Sequence, residues 1–389
     1  MSRAAPFGVL LLDKPEGPTS HDLVGWARWG LGVRQVGHCG TLDPAASGLL
    51  VVCVGPATRF VSFLTGVDKR YRARIVLGVS TDSADREGAI LERAMVSDEI
   101  AARVPEVLAE MVGTLELPPP VYSAIKVDGQ RAHRLAREGE AVVLQPRPMT
   151  VHACRLGSVE RVGETVVVDA EMTVSKGTYI RSLAVELGRR LGVPAHLGGL
   201  RRLACGALSL IGDIPVVSVL AAQEDGRWRC RSADTGPEAT HDRAPESRRE
   251  RARHALNAAL LDPADALPLP LIELDGVPPE LGGRGPMTML ERLSQGQTVG
   301  LSPADWVALT RSERSLEVEL ELGQPTRLCL RARGEDGRSA VIVVANATRE
   351  LSEADATPRI RVRPERVVRA VSRPSSQRRS RSKKPHRQP

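Results

Sequence analysis

Aromatic side chains are scarce, only 3% of 389 residues, so any core must be built mainly from Leu, Val and Ala, and each ring marks a position of interest. Cysteine offers little chemistry. Its six positions (Cys39, Cys53, Cys154, Cys205, Cys230, Cys329) form no CxxC pair and stand near no His at metal-ligand spacing, as expected of reduced, mostly buried thiols. No stretch approaches the ~18 apolar residues of a membrane span, and the apolar run before Asp13 is too short for a secretory signal. A cytoplasmic protein with no membrane partner is the expectation. The net charge of +7 looks like a nucleic-acid signature, but its placement weakens that reading. Seven basic residues and no acid lie in the tail from Val371, and without them basic and acidic residues balance. RNA contacts would therefore come from local clusters such as Lys69, Arg70, Arg72 and Arg74, or Arg201 and Arg202, each of which also reads as a solvated basic face.

The length suggests two folded units with connecting segments. Residues 1–215 alternate β-type runs with amphipathic helices, the pattern of one mixed α/β domain. Strands are expected at Gly8–Leu12, Leu49–Val54, Arg72–Leu77 and Thr165–Val174. Thr19 to Asp22 fits a capping box opening a helix through Trp29, with Gly30 and Gly32 near its end. A second helix is expected from near Tyr179, where Ile180, Leu183, Ala184, Leu187 and Leu191 repeat at helical spacing. Residues 216–265 read as a linker or insertion, partly disordered, because Gln223 to Asp262 is rich in Arg, Glu, Asp, Pro and Ala and patterned only around Arg248 to Leu261. Residues 266–370 read as a small β-rich domain. It has a helix at Met289–Leu293 and a hairpin in which Leu316–Leu322 pairs with Arg327–Ala332 across Gly323-Gln324-Pro325. Residues 371–389 read as a disordered basic tail.

The chemistry concentrates in Gly37-His38-Cys39-Gly40-Thr41-Leu42-Asp43-Pro44-Ala45-Ala46-Ser47-Gly48. Three glycines around a polar centre describe a backbone that another molecule approaches closely, whereas an isolated Asp-Pro is most often a turn or a helix start. The segment resembles the catalytic motif of the TruB family of tRNA pseudouridine synthases. So do Gly8 to Ser20, Asp68-Lys69-Arg70-Tyr71, Thr81 to Asp85 between Gly78 and Gly88, Pro119 to Lys126, Ser175 to Ser182, and Ala195-His196-Leu197 with Leu200-Arg201-Arg202. The resemblance covers about residues 8 to 210 in the family's order. The only tyrosines (Tyr71, Tyr122, Tyr179) and the only lysines before the tail (Lys14, Lys69, Lys126, Lys176) all fall inside these motifs.

This resemblance implies an α+β fold, with a central, mostly antiparallel sheet and a small PUA-like C-terminal domain anchored at Leu293, Gly296, Gln297 and Val299. It also implies a cofactor-free, metal-free isomerase acting on the T-loop uridine, position 55, of tRNA. Asp43 is then the nucleophile, on either base or sugar. A carboxylate sealed in by a base tends to protonate unless a cation favours its charged form, and Arg181 is the residue the family pairs with it. The resemblance makes Tyr71 the stacking platform for the extruded uracil and a candidate to take the proton from C5, with Tyr179 and Leu200 as pocket walls. As plain core residues, Tyr179 and Leu200 fit equally well. His38 fills the gap left by the flipped base, and Lys14 and Lys69 join the substrate-binding set by positioning the backbone. The expected partner is the tRNA T-arm stem-loop, bound by a monomer with no obligatory protein partner. Two other readings stand beside this one: the guide-RNA-directed relatives that modify ribosomal RNA with partner proteins, and an RNA chaperone that folds tRNA without catalysis.

Overall fold

The computed structural model describes residues 5–122, 126–127, 130–131, 144–233, 247–274, 289–310, 320–321, 324–333, 339–351 and 358–369. The basic tail, the region from Ser123 to Ile125, and Leu316 to Glu319 lie outside them.

An eleven-stranded sheet dominates. Its strands are β1 (Gly8–Lys14), β2 (Val36–His38), β3 (Ala46–Val54), β4 (Lys69–Leu77), β5 (Gly113–Leu117), β6 (Arg147–Val162), β7 (Thr165–Val174), β8 (Ala195–Cys205), β9 (Leu208–Ser209), β10 (Val216–Glu224) and β11 (Arg227–Ser232). They run in the order β11-β10-β1-β3-β8-β4-β7-β6-β5, with β2 on β3 and β9 on β8. Pairing is antiparallel except at β1–β10 and β3–β8. Val9 to Leu12 of β1 are fully buried, because both faces of this central strand are covered. One face carries helix α1 (Ser20–Leu31), which opens with the Thr19/Asp22 capping box and ends at Gly32 in the left-handed region (φ 70°). Helix α2 (Ile180–Leu191) begins right after Tyr179 and buries all five residues of the expected stripe.

The region expected as linker is largely built into the first unit. β10 pairs with β1, β11 closes the sheet edge, and helix α3 (Arg248–Ala258) lies on α1. There is no Cβ at Gly30, where one would meet Leu256 at 2.8 Å, so the two helices approach closely. Leu261 and Val9 then exchange backbone hydrogen bonds of 3.0 and 2.8 Å. The composition misled because α3 buries only Ala252 and Leu256 among its eleven residues and surrounds them with arginines.

The later strands β12 (Leu271–Glu273), β13 (Val299–Leu301), β14 (Thr326–Arg333), β15 (Ser339–Leu351) and β16 (Pro358–Arg369) form a five-stranded sheet in the order β12-β14-β15-β16-β13. A helix over Met289–Ser294 precedes β13. The Leu316–Leu322 arm of the expected hairpin lies largely outside the described residues. Among the described residues, β14 pairs with β12 on one side and β15 on the other, and Leu320 and Glu321 are not in a strand. The apolar run Val341 to Ala345 of β15 supplies core on both faces of this sheet. Cys329, Ile342, Val344 and Val368 of this sheet share one core with Val9, Leu11, Leu49 and Val51 of the first, so the two sheets meet through an apolar interface. Among the described residues no helix is long and apolar enough to cross a membrane.

Candidate active site

Asp43 sits on the loop from β2 to β3, and that loop is held from three sides. From α1, the Ser20 hydroxyl accepts from the Leu42 N–H (2.9 Å) and donates to the Leu42 carbonyl (3.0 Å). From the end of β1, the fully buried Lys14 ammonium donates to the carbonyls of Ala46 (2.6 Å), Pro15 (3.0 Å) and Pro44 (3.3 Å). From β8, Arg202, only 1% exposed, donates to the carbonyls of Leu49 (2.7 Å), Gly40 (3.1 Å) and Thr41 (3.4 Å). Buried donors must find acceptors, and loop carbonyls supply them. The outcome is two buried cations whose charge is not cancelled by a salt bridge among the described residues, both beside the segment that carries Asp43. Burial pulls the Lys14 ammonium down to about 8, with the Asp43 charge opposing the shift.

The carboxylate of Asp43 is about half exposed (49%) and lies 3.1 Å from the Arg181 guanidinium, which is itself 10% exposed. Arg181 occupies the second position of α2, so its stem leaves the helix beside the Tyr179 cap. It also reaches the carboxylate of Asp85 (3.3 Å) and the carbonyls of Ser83 (3.3 Å) and Tyr122 (3.0 Å). A guanidinium with four acceptors is fixed in plane and direction. Asp85 is in turn placed by a turn in which Ala84 adopts a left-handed φ of 59° and the Ser83 hydroxyl donates to the Asp85 carboxylate at 2.6 Å. Asp43, Asp85, Arg181 and Leu200 line one cleft of about 280 Å³, floored by Gly198 and Gly199.

Strand register places the rest. Tyr71 on β4 faces Arg202 on β8, which faces Gly48 on β3, so the three form one row across the sheet. The Tyr71 phenol is pushed above its ordinary value by burial, with the Arg202 charge and hydrogen bond pulling the other way. Tyr71, Tyr179 and Leu200 pack partly buried against one apolar core. His38, on β2, meets the His21 ring edge-on at 5.3 Å, and its Nδ1 is buried with no partner among the described residues. Burial, then the His21 and Arg202 charges, hold it below the ordinary histidine value.

Asp43, Arg181 and Leu200 thus share the cleft, whose lining does not include Tyr71, Tyr179 or His38; Tyr71 is near enough to feel the Asp43 charge, Tyr179 packs on the same core as Leu200, and His38 is tied to His21 instead. Two expectations change. Lys14 and Lys69 are turned inward: the Lys69 ammonium, 7% exposed, donates to the carbonyls of Thr65 and Val67. Both lysines hold the protein's own backbone rather than RNA, because a buried ammonium is satisfied by the nearest carbonyls. The clusters offered for RNA are depleted in the same way, since Arg201 pairs with Asp13 (2.7 Å), Arg72 pairs with Glu171 (2.9 Å) and Arg202 is internal. Asp85 and Arg202 are the residues that sequence reasoning left without roles in the site. The Ser/Asp-rich turn between Gly78 and Gly88 was a signal for the first; for an arginine, whose ordinary place is solvent, there was none. Among the described residues no three His, Cys, Asp or Glu side chains converge as metal ligands.

The family model described as TruB family pseudouridylate synthase (N terminal domain) matches residues 28–180. The tRNA pseudouridine synthase B of Geobacillus thermodenitrificans is 43% identical over 222 residues, 56% of this chain and 74% of that protein. The protein of the same name from Thermobifida fusca is 49% identical over 203 residues, 51% of this chain and 69% of that one. Among solved structures, an H/ACA RNP bound to a substrate RNA containing 2'-deoxyuridine holds a chain with the same fold. It superposes with a TM-score of 0.55 at 22% identity, over 93% of this chain and 85% of that chain. With nearly half of the aligned residues identical across most of a relative's length, this chain belongs to the TruB family of pseudouridylate synthases.

Proposed function

We propose that this protein isomerises the T-loop uridine of tRNA, position 55, to pseudouridine, with Asp43 as the nucleophile. The single observation that carries the reading is the Asp43 carboxylate, half exposed in a cleft and 3.1 Å from the immobilised Arg181 guanidinium. The reaction is an isomerisation with no redox change. The N1–C1' bond breaks, the uracil turns, a C5–C1' bond forms, and one proton leaves C5 while one arrives at N1. A carboxylate adding to base or sugar lets this proceed through a covalent intermediate rather than a free base. Reaching it requires the nucleotide to leave its stack, and the partly apolar surround of Tyr71, Tyr179 and Leu200 is suited to receive a flat ring.

Arg181 keeps a positive charge against the carboxylate as the base excludes water, while Lys14 and Arg202 fix the loop that aims it. The raised Tyr71 phenol is neutral at physiological pH, so its part is a platform and hydrogen-bond group rather than a resident base for C5. His38, held below the ordinary histidine value on the strand that leads into the Asp43 loop, takes the part of standing in for the extruded base. The five-stranded C-terminal sheet takes the role of the PUA-like RNA-binding unit, and the protein acts as a monomer without protein partners.

The test is nucleotide-resolved mapping of pseudouridine after incubating purified protein with tRNA and with a T-arm stem-loop. Asp43→Asn should abolish product while leaving tRNA affinity within about twofold; retained turnover overturns the assignment. Product on the isolated stem-loop also excludes the guide-RNA-directed reading, for which the shared fold with the H/ACA chain is the only support.

A further inference from the structure

A second concavity lies away from Asp43. It is a groove between the β10–β11 hairpin and α3, with Trp26 of α1 in its lining. Its charge is one-sided. Arg229, Arg231, Arg248 and Arg251 line it, and among the described residues of the lining Glu224 is the one acid, 3.6 Å from Arg229. In a body whose charges otherwise balance, this is a local concentration of arginine. The Trp26 indole N–H is buried and has no partner among the described residues, so a donor is also left over in the lining.

Register puts the hairpin at the catalytic end of the sheet. β10 runs parallel to β1, and their pairing ends with Asp13 opposite Ser218, one residue before Lys14. Residues 220–224 therefore project past the end of β1 by roughly 17 Å at ~3.3 Å per residue. The projection is tied back to the catalytic loop. The Trp228 ring packs on Gly17, where a Cβ would come within 2.4 Å of it, and the Gly17 N–H donates to the Pro44 carbonyl at 2.9 Å.

We propose that this groove is a second RNA-binding site, which takes the phosphodiester backbone of the tRNA beyond the T-arm while the T-loop occupies the Asp43 cleft. The inference rests on the tRNA reading given above. Phosphates are the ligand class that fits, because arginine binds them through paired N–H donors. Arg248 has a structural duty as well, donating to the Cys230 carbonyl at 3.3 Å, so the exposed pair on β11 is the better probe.

The experiment compares wild type with Arg229→Glu/Arg231→Glu by measuring affinity for full-length tRNA and for the T-arm stem-loop from low to high salt. Each phosphate contact contributes about 0.9 to the slope of log K against log salt on a duplex. The variant should lose roughly 2 units of slope and at least tenfold in affinity for full-length tRNA, with the rate of bound substrate unchanged and stem-loop binding equal to wild type. An unchanged slope on full-length tRNA overturns the proposal, as does an equal loss on the stem-loop, which would place the contact inside the T-arm. Arg251→Gln serves as a second variant with the same expected direction, and wild-type melting temperatures establish that each variant is folded. Wild type that modifies no tRNA would instead overturn the underlying reading, so the two failures are distinguishable.

Discussion

Replacing Arg202 by Met is the most demanding test of how the site is built. The guanidinium is 1% exposed, and its two shorter bonds, to the carbonyls of Leu49 (2.7 Å) and Gly40 (3.1 Å), tie β3 to the loop that carries Asp43. Met fills much of the volume but leaves those carbonyls buried without a donor. Hydrogen bonds to a charged group contribute ~1.5–3 kcal/mol each, while relief from burying the cation returns part of that. A net loss of about 2–3 kcal/mol is expected, or roughly 4–12 °C in melting temperature at ~2–4 °C per kcal/mol. If the residue only supported the fold, activity below the melting transition would be normal. Since it positions the Asp43 loop, kcat should fall at least tenfold at a temperature where the variant is folded, with tRNA affinity unchanged. A spectrophotometric titration of the three tyrosines should also show the Tyr71 phenol moving still higher once the guanidinium is gone. Arg202→Lys keeps the charge but not the fork, and should recover only part of the rate. A Met variant that melts within about 1 °C of wild type and turns over normally would refute the reasoning.

The buried Lys14 should set an alkaline limit on turnover: its ammonium loses a proton near pH 8, the positive charge beside the Asp43 loop disappears, and kcat falls above that pH, whereas Lys14→Met lowers kcat at all pH values and removes the inflection. Stability should move the opposite way. Between about 8 and the ordinary 10.5 the unfolded chain holds more protons at this site than the folded one, so the Lys14 contribution to unfolding free energy rises with pH; denaturant titrations at pH 7.5 and 10 on wild type and the Met variant read the difference. Gly48→Ala should be among the most damaging small substitutions. The backbone there has a φ of +101°, and a Cβ would stand 2.3 Å from the Arg202 carbonyl oxygen, so at least ~3 kcal/mol of destabilisation is expected by chemical denaturation; a soluble variant of wild-type stability would contradict the register of β3 on β8.

The places of the first strands and of both active-site helices were readable because they rest on local physics, although β1, β3 and β4 run two or three residues longer than expected: the Thr19/Asp22 box and the left-handed Gly32 bound α1, and the apolar stripe from Ile180 to Leu191 defines α2. The Asp43 loop was readable for a different reason. A dense run of motifs in order carries information about a partner molecule that no folding rule supplies. Periodicity names faces but not partners, and nothing in the sequence pattern said that β14 would be flanked by β12 and β15. Composition likewise took β10 and β11 for a linker and, although a helical stretch was legible around Arg248 to Leu261, gave no sign that it packs on α1, since only Ala252 and Leu256 are buried on an arginine-rich helix. Charge was the least legible quantity. The sequence reading put Lys69 and Arg202 in basic clusters open to RNA, and only the packed sheet, by burying their stems against loop carbonyls, turned them inward beside Lys14. The residue types of the site were thus written in the chain, while the direction in which each charge points followed from long-range register, which brings β3, β8 and β4 side by side across more than a hundred residues.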